Sequence, residues 1–249
     1  MNIHGAIDKY DKETSTHIVA YLDVLGVALK MKTENQAEPL NKLYTLYKHS
    51  IELSDGETGI KKYADFKFRI FSDNILIASE LPDDPLKRRN TIESLLNCVS
   101  NFATSCVGDG VGWLLRGGIT IGEFFINDTI VWGSALLRAY ELEVSIANYP
   151  RIAIDTSILF ELRHFENPSD FILTDIDGIS YLNYIHIWHF SGQFVKNGFE
   201  KMKKEAKKPN GSYPDRVYQK LVWHMNYINH QLDIKNEHRD KKYRLTLEL

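Results

Sequence analysis

Short, dense apolar runs alternate along this chain with stretches whose apolar residues recur every three or four positions. Ile18, Val19, Ala20, Tyr21 and Leu22 form a continuous apolar run that closes on Asp23, with Gly26 three residues further on; this predicts a strand followed by a tight turn into a helix. Leu40, Leu43, Tyr44, Tyr47 and Ile51 then fall at helical spacing, and SDGETG stops that helix. Two more apolar runs, FRIF and ILIA, flank Ser72, Asp73 and Asn74, which is the signature of a hairpin. A second helix starts from the Pro and Asp residues of LPDDP. It carries Ile92, Leu95, Leu96, Val99, Phe102, Ala103 and Cys106 on one face and ends at GDGVG.

GWLLRGGITIGEFFI is a long strand run that turns at Asn127–Asp128 and resumes in TIVW. Gly117 and Gly118 in its middle predict either a bulge or a close approach by another backbone or a ligand. Gly133 opens a third helix with Ala135, Ala139, Leu142 and Ile146 on one stripe. RIAID reads as a strand, TSILFELRHF as a short helix, and FILTDIDGISYLNYIHI as a hairpin about Asp177 and Gly178.

This order predicts an α+β fold of ferredoxin-like type, a βαββαβ core with helices on one face of a mainly antiparallel sheet. Residues 1–16 form a polar extension and 17–191 the main domain. From 192 the chain changes to a basic, solvated stretch, KNGFEKMKKEAKKPNGS, and then to a helix with Val217, Leu221, Met225, Ile228 and Leu232 on one face. Residues 192–249 are thus a C-terminal helical appendage, packed on the domain or on a partner.

Composition narrows the classes of function. The 249 residues are 43% hydrophobic and 25% charged, ordinary for a soluble globular protein with a real core. Thirty basic and thirty-three acidic residues leave a formal charge of −3, so the overall field does not attract a nucleic-acid backbone, and nucleic acid is not an expected partner. The N-terminus has no signal-peptide core and no long apolar run occurs, so the expectation is a cytoplasmic protein with no membrane association. The two cysteines, Cys98 and Cys106, lie along one helix, too far apart for a disulfide, and are expected to be buried and reduced.

Asp23 and Asp73 are the candidate chemistry. Either one alone suits a bend, since Asp bonds its own backbone and tolerates tight turns. Two of them, each closing an apolar strand of one domain, point to a shared site for Mg²⁺ or Mn²⁺, which prefer carboxylate and carbonyl oxygens. The Val24 carbonyl is the expected third ligand. Gly26 either lets backbone N–H groups approach a polyphosphate or is an ordinary turn glycine. His186 and His189 flank a tryptophan with no third ligand in view and are expected to be structural.

AYLDVLG, FRIFSDNILIAS, LRGGITIGE and WGSALLRAYELE, in that order across roughly residues 17–155, resemble class III nucleotidyl cyclases. The run from Arg116 to Glu123, with Gly133, Ala135, Ala139, Tyr140, Leu142 and Glu143, is most similar to the pyrimidine cyclases of the Pycsar anti-phage systems. The resemblance implies a cyclase fold with Asp23 and Asp73 as bridging ligands of two divalent ions and Arg116 as a cation near the phosphates; by itself Arg116 suits a surface salt bridge equally well. The family's ribose-orienting asparagine and transition-state arginine fall on Leu137 and Glu141. Arg138, beside the first, is the candidate replacement cation, although most helix arginines simply face solvent. The lysine and aspartate with which purine cyclases read adenine fall on Arg69 and Ile130, so a pyrimidine read by another donor, such as Arg69, fits better.

The resemblance further implies a homodimer with active sites at the interface, metal aspartates from one chain and base-reading and helix residues from the other. The expected reaction is UTP to 3′,5′-cyclic UMP and pyrophosphate. CTP is the alternative substrate, and an adenylate or guanylate cyclase or a non-catalytic nucleotide-binding module are alternative functions. A separate effector protein that binds the cyclic nucleotide is the implied downstream partner.

Overall fold

The computed structural model describes residues 13–25, 36–54, 65–163, 171–186, 192–234 and 243–247. Gly26 and His189 lie outside them. The central feature is β1 (Ser15–Leu25), paired on one side with β3 (Asn74–Glu80) and on the other with β4 (Leu114–Ile126). With β2 (Lys67–Phe71) at the edge, the order β2-β3-β1-β4 is the antiparallel ferredoxin-like core. The sheet continues through β6 (Ile152–Ile154), which is parallel to β4, to the hairpin of β7 (Ile172–Thr174) and β8 (Ser180–Leu182), while β5 (Val131–Trp132) folds back on β4.

Alternation along β1 decides the layers. Ile18, Ala20, Leu22 and Val24 point into the main core, where they meet α1 (Ala37–Ser54) and α2 (Pro85–Val107). Val19 and Tyr21 point the other way, onto Ala135 and Ala139 of α3 (Ser134–Glu141). Helices therefore cover both faces at the centre of the sheet, and the expectation of helices on one face is corrected. The continuous apolar run Ile18–Leu22 is itself the reason, since a strand with one wet face alternates with polar residues. Close approach of α3 depends on Gly118, where a Cβ would stand 2.4 Å from the Leu142 Cβ and 2.6 Å from the Ala139 carbonyl. The β4 register runs through both glycines without a bulge.

The α2 stripe is buried as its spacing predicts, with Asp84 accepting from the Lys87 N–H at 2.8 Å as N-cap and Pro85 in the first turn. The face of α1 differs. Leu43, Leu46 and Ser50 are buried whereas Leu40 and Tyr44 are exposed; an aromatic and a leucine at helical spacing do not identify which of two adjacent stripes meets the sheet. After the short helix α4 (Thr156–Leu162), the basic stretch after 192 is also structured, as α5 (Gly192–Ala206), which buries Val195, Phe199 and Met202, bonds Lys201 to the Gly110 carbonyl and Lys203 to the Thr246 carbonyl, and leaves Lys204 exposed. α6 (Asp215–Ile234) adds Leu221 and Ile228 to the same core, with Val217, Met225 and Leu232 packed at its margin. No helix among the described residues is long and apolar enough to cross a membrane.

His224 of α6 is fully buried, its Nδ1 sharing a 3.2 Å hydrogen bond with the Tyr184 hydroxyl and its Nε2 without a hydrogen-bond partner among the described residues. Burial pushes its pKa down from 6.5 to about 3. The unfolded chain then takes up a proton that the folded one refuses, so stability is intact above the unfolded value and is lost as pH falls below about 6.5. Each pH unit costs about 1.4 kcal/mol. Denaturant titrations are expected to show about 2 kcal/mol less stability at pH 5 than at pH 7.5, a difference that His224→Gln removes. The arginine-paired carboxylates Asp155 and Asp177, held low, contribute their own acid sensitivity only below their ordinary value of 3.8, so the two effects separate on the pH axis.

Candidate active site

The end of the sheet where β1 closes and β4 begins gathers the charged residues. Asp23 stands opposite Asn74 on β3 and opposite Arg116 on β4. Asp73 lies in the two-residue turn that joins β2 to β3, where Ser72 adopts a φ of 61°, the positive angle that tight hairpin turns demand. A 2.9 Å bond from the Val24 N–H to the Asp73 carbonyl fastens this turn to the end of β1. In an extended strand the N–H and C=O of one residue point to the same side, so the Val24 carbonyl faces the turn as well.

Arg116 Nε donates to Asp23 Oδ2 at 2.9 Å and lies 2.5 Å from Glu143 Oε1. Its N–H is aligned on Asp23; Glu143 Oε1 has the charge contact without an aligned hydrogen bond. Glu143 reaches this position because α3 gives way after Glu141 to a π-helical turn, Leu142–Ile146, a distortion common at functional sites. Burial raises the Glu143 pKa, with Arg116 opposing the shift and Asp23 adding to it.

Two neighbours complete this corner. Tyr21, two residues before Asp23 and hence on the same face, donates its hydroxyl to Asn74 Oδ1 at 2.7 Å, and Asn74 Nδ2 in turn donates to Asp73 Oδ1 at 3.3 Å. The Tyr21 pKa is pushed up to about 12 by burial first and then by the negative charges of Glu143, Asp23 and Asp73, so its hydroxyl remains a donor. Tyr21 and Asn74 are not candidates on sequence grounds, and Glu143 enters there only as part of the resembling motif. For Tyr21 the signal was present in its two-residue spacing from Asp23, obscured by the unbroken apolar run around it.

The donor set suits a divalent ion of magnesium type. Asp23, Asp73 and the Val24 carbonyl are all oxygen donors at one sheet end, and no group of three or more His, Cys, Asp or Glu that could form a protein-only cage occurs among the described residues. Such ions are bound by one or two carboxylates and completed by substrate phosphates and water.

The remaining candidates sit apart from this corner. Arg138 sends Nε and Nη2 to Asp155 Oδ1 at 3.1 and 2.8 Å, and Asp155 also accepts from Thr120 and Ser157. Burial alone would raise the Asp155 pKa, but these donors outweigh it and hold the carboxyl low. Thr120 is four residues along β4 from Arg116, about 13 Å at strand rise, so Arg138 is held at mid-sheet and would have to leave Asp155 to act elsewhere. Leu137 is 64% exposed and Glu141 pairs only loosely with Arg138, at 3.5 Å. Arg69 Nη2 donates to the Asn127 carbonyl at 2.7 Å and to Asp128 at 3.2 Å. Ile130, whose carbonyl accepts from the Asn127 N–H, lies on that same loop, so the positions of Arg69 and Ile130 are brought together at the β2 edge. His186 lies in a short 3₁₀ turn, Tyr184–His186.

No family model and no curated protein matches this chain. Among solved structures it is similar to the monomeric guanylyl cyclase domain of the RhoGC fusion protein from the aquatic fungus Blastocladiella emersonii, with 15% identity over 68% of this chain and 95% of that one and a TM-score of 0.47. It is also similar to the catalytic core of a rhodopsin-guanylyl cyclase with converted specificity in complex with ATPαS, with 14% identity over 68% and 96% of the two chains and a TM-score of 0.49.

Proposed function

We propose that this chain is a nucleotidyl cyclase that converts a pyrimidine nucleoside triphosphate, UTP before CTP, to its 3′,5′-cyclic monophosphate and pyrophosphate. The observation that carries the reading is the pair of carboxylates at one sheet end, Asp23 on β1 and Asp73 in the β2–β3 turn, fastened together by the Val24–Asp73 bond. Cyclisation needs the ribose 3′ oxygen in line with the α-phosphorus and the charge on the phosphates offset, which is work of positioning and electrostatics. Two divalent ions, Mn²⁺ or Mg²⁺, would sharpen the attacking oxygen and hold the leaving oxygens. Asp23, Asp73 and the Val24 carbonyl would hold them. Arg116, already at Asp23, offers its remaining guanidinium N–H groups to phosphate oxygens. Tyr21 presents a neutral hydroxyl beside both carboxylates. The preference for a pyrimidine, and a role in anti-phage signalling through a separate cyclic-nucleotide-binding effector, rest on the motif resemblance and on Arg69 and Ile130 in the place of an adenine-reading pair.

A homodimer with shared sites is part of the proposal. Leu137, Tyr140 and Val144 form an exposed apolar stripe at i, i+3 and i+7 on α3 and the turn after it, and Trp132 is 70% exposed nearby in sequence. Such a stripe is what a second copy would cover, and it carries the two positions, Leu137 and Glu141, that the resemblance assigns to substrate.

Purified protein incubated with ATP, GTP, CTP and UTP and Mn²⁺ is expected to give cyclic UMP as its main product, with turnover lost on chelation. No cyclic product from any of the four refutes the cyclase reading and leaves a nucleotide-binding module; a purine product removes the pyrimidine preference.

A further inference from the structure

The C-terminal helix is packed towards the end of the sheet that holds Asp23 and Arg116. α6 is fixed on the β7–β8 hairpin by Trp223, whose Nε1 donates to Asp175 at 2.6 Å, and by Tyr227, whose hydroxyl donates to Asn183 and accepts from the Ile185 N–H. Trp223 also stacks on Tyr149. Tyr149 leads to Arg151, whose carbonyl accepts from the N–H of Gly117, the residue after Arg116. Lys220 is one turn before Trp223 on the same side of the helix, and this path of contacts brings it towards the start of β4.

Lys220 is half-buried, and among the described residues no carboxylate lies within ion-pair distance of it. Its electrostatic neighbours are Arg116, Asp23, Arg216 and Glu143; burial first, and Arg116 next, hold its pKa below the ordinary lysine value. Both acids nearby are already engaged by Arg116, at 2.9 and 2.5 Å. A half-buried ammonium that feels a guanidinium and has no ion-pair partner among the described residues is an arrangement that an anion would relieve.

We infer that Lys220 binds the polyphosphate of the substrate at the Asp23–Arg116 corner, so that α6 is a working part of the site and not an appendage to it. The inference rests on the cyclase reading for the identity of that anion, a nucleoside triphosphate. Lys220 and Arg116 would then flank the phosphates from α6 and β4, with Lys220 as the point charge and Arg116 as the planar fork.

Binding of inorganic tripolyphosphate with Mn²⁺, followed by calorimetry, tests this together with steady-state turnover of the preferred triphosphate. Lys220→Gln is expected to weaken tripolyphosphate binding and raise KM at least about tenfold, as loss of a charge-assisted contact does, with the smaller effect on kcat and an unchanged melting temperature. Lys220→Arg, which keeps the charge, should recover most of the binding and also serves if the glutamine variant folds poorly. Lys204→Gln, on an exposed position of α5, controls for net charge and should bind as the parent does. If the parent cyclises its substrate and Lys220→Gln binds tripolyphosphate equally well, the role of Lys220 is refuted and the cyclase reading stands. If the parent binds neither tripolyphosphate nor any nucleoside triphosphate, both are overturned.

Discussion

Asp73→Ala is expected to abolish cyclisation, lowering turnover by about three orders of magnitude or more, which corresponds to about 4 kcal/mol of transition-state stabilisation. The same change should leave the fold within about 1 kcal/mol of the parent, because a surface turn position with no core packing rarely costs more. The asymmetry follows from what the side chain does. Among the described residues its side chain has one hydrogen bond, the long 3.3 Å contact from Asn74, while the bond that fastens the turn to β1 uses the Asp73 main-chain carbonyl and survives the substitution. Asp23 is the less clean choice, since its carboxylate also balances Arg116, and removing it would leave that guanidinium against Glu143 alone. Turnover at saturating Mn²⁺, measured beside a thermal melt, decides the matter. An Asp73→Ala protein that cyclises near the parent rate contradicts the two-aspartate site, whereas one that loses both activity and fold says nothing against it and shifts the test to Asp73→Asn.

How far the fold was legible depended on whether one local pattern sufficed. The α2 stripe from Ile92 to Cys106 is in phase over four turns, begins at a capping Asp84 followed by proline, and is buried as read. The β2–β3 hairpin and the ends of β1 and β4 are legible for the same reason, and the Val24–Asp73 backbone bond sets the Asp73 turn against the end of β1. α1 was not, because Leu40 and Tyr44 sit at helical spacing yet face outward while Leu46 faces in. The polar side of the site was the least legible. Arg116 is in contact with Asp23, 93 residues earlier, and with Glu143 from a π-helical turn; no local propensity announces either. Arg138 looks from sequence like a free helix cation, but the fold brings Asp155, Thr120 and Ser157 around it. Apolar periodicity is a local property, and the pairing of charges is a property of topology.

The second large effect concerns such a pairing. Arg151→Met is expected to destabilise the protein by about 3–5 kcal/mol, the range for removing one partner of a buried ion pair, and to lower the melting temperature by roughly 10 °C for a chain of this size. The Arg151 side chain is fully buried. It donates to Asp175 at 2.6 Å, to both oxygens of Asp177 at 2.9 and 2.5 Å, and to the Ile146 carbonyl at 3.2 Å. The guanidinium thereby joins the π-helical turn behind Glu143 to the β7–β8 hairpin, and Trp223 donates to the same Asp175 oxygen from α6. The cost lies mainly in the carboxylates left behind: Asp175 would keep the indole N–H and the Ile176 N–H but no cation, while Asp177, which is more exposed, can turn to water. Arg151→Met combined with Asp175→Asn should therefore recover part of the loss, and the non-additivity in a double-mutant cycle, read by urea denaturation, measures the coupling. Because Ile146 and Trp223 are held through this cluster, Arg151→Met should also loosen Glu143 from Arg116 and reduce turnover at temperatures where the protein is still folded. A variant that unfolds within 1 kcal/mol of the parent would show that the cluster is not what holds α6 against the sheet.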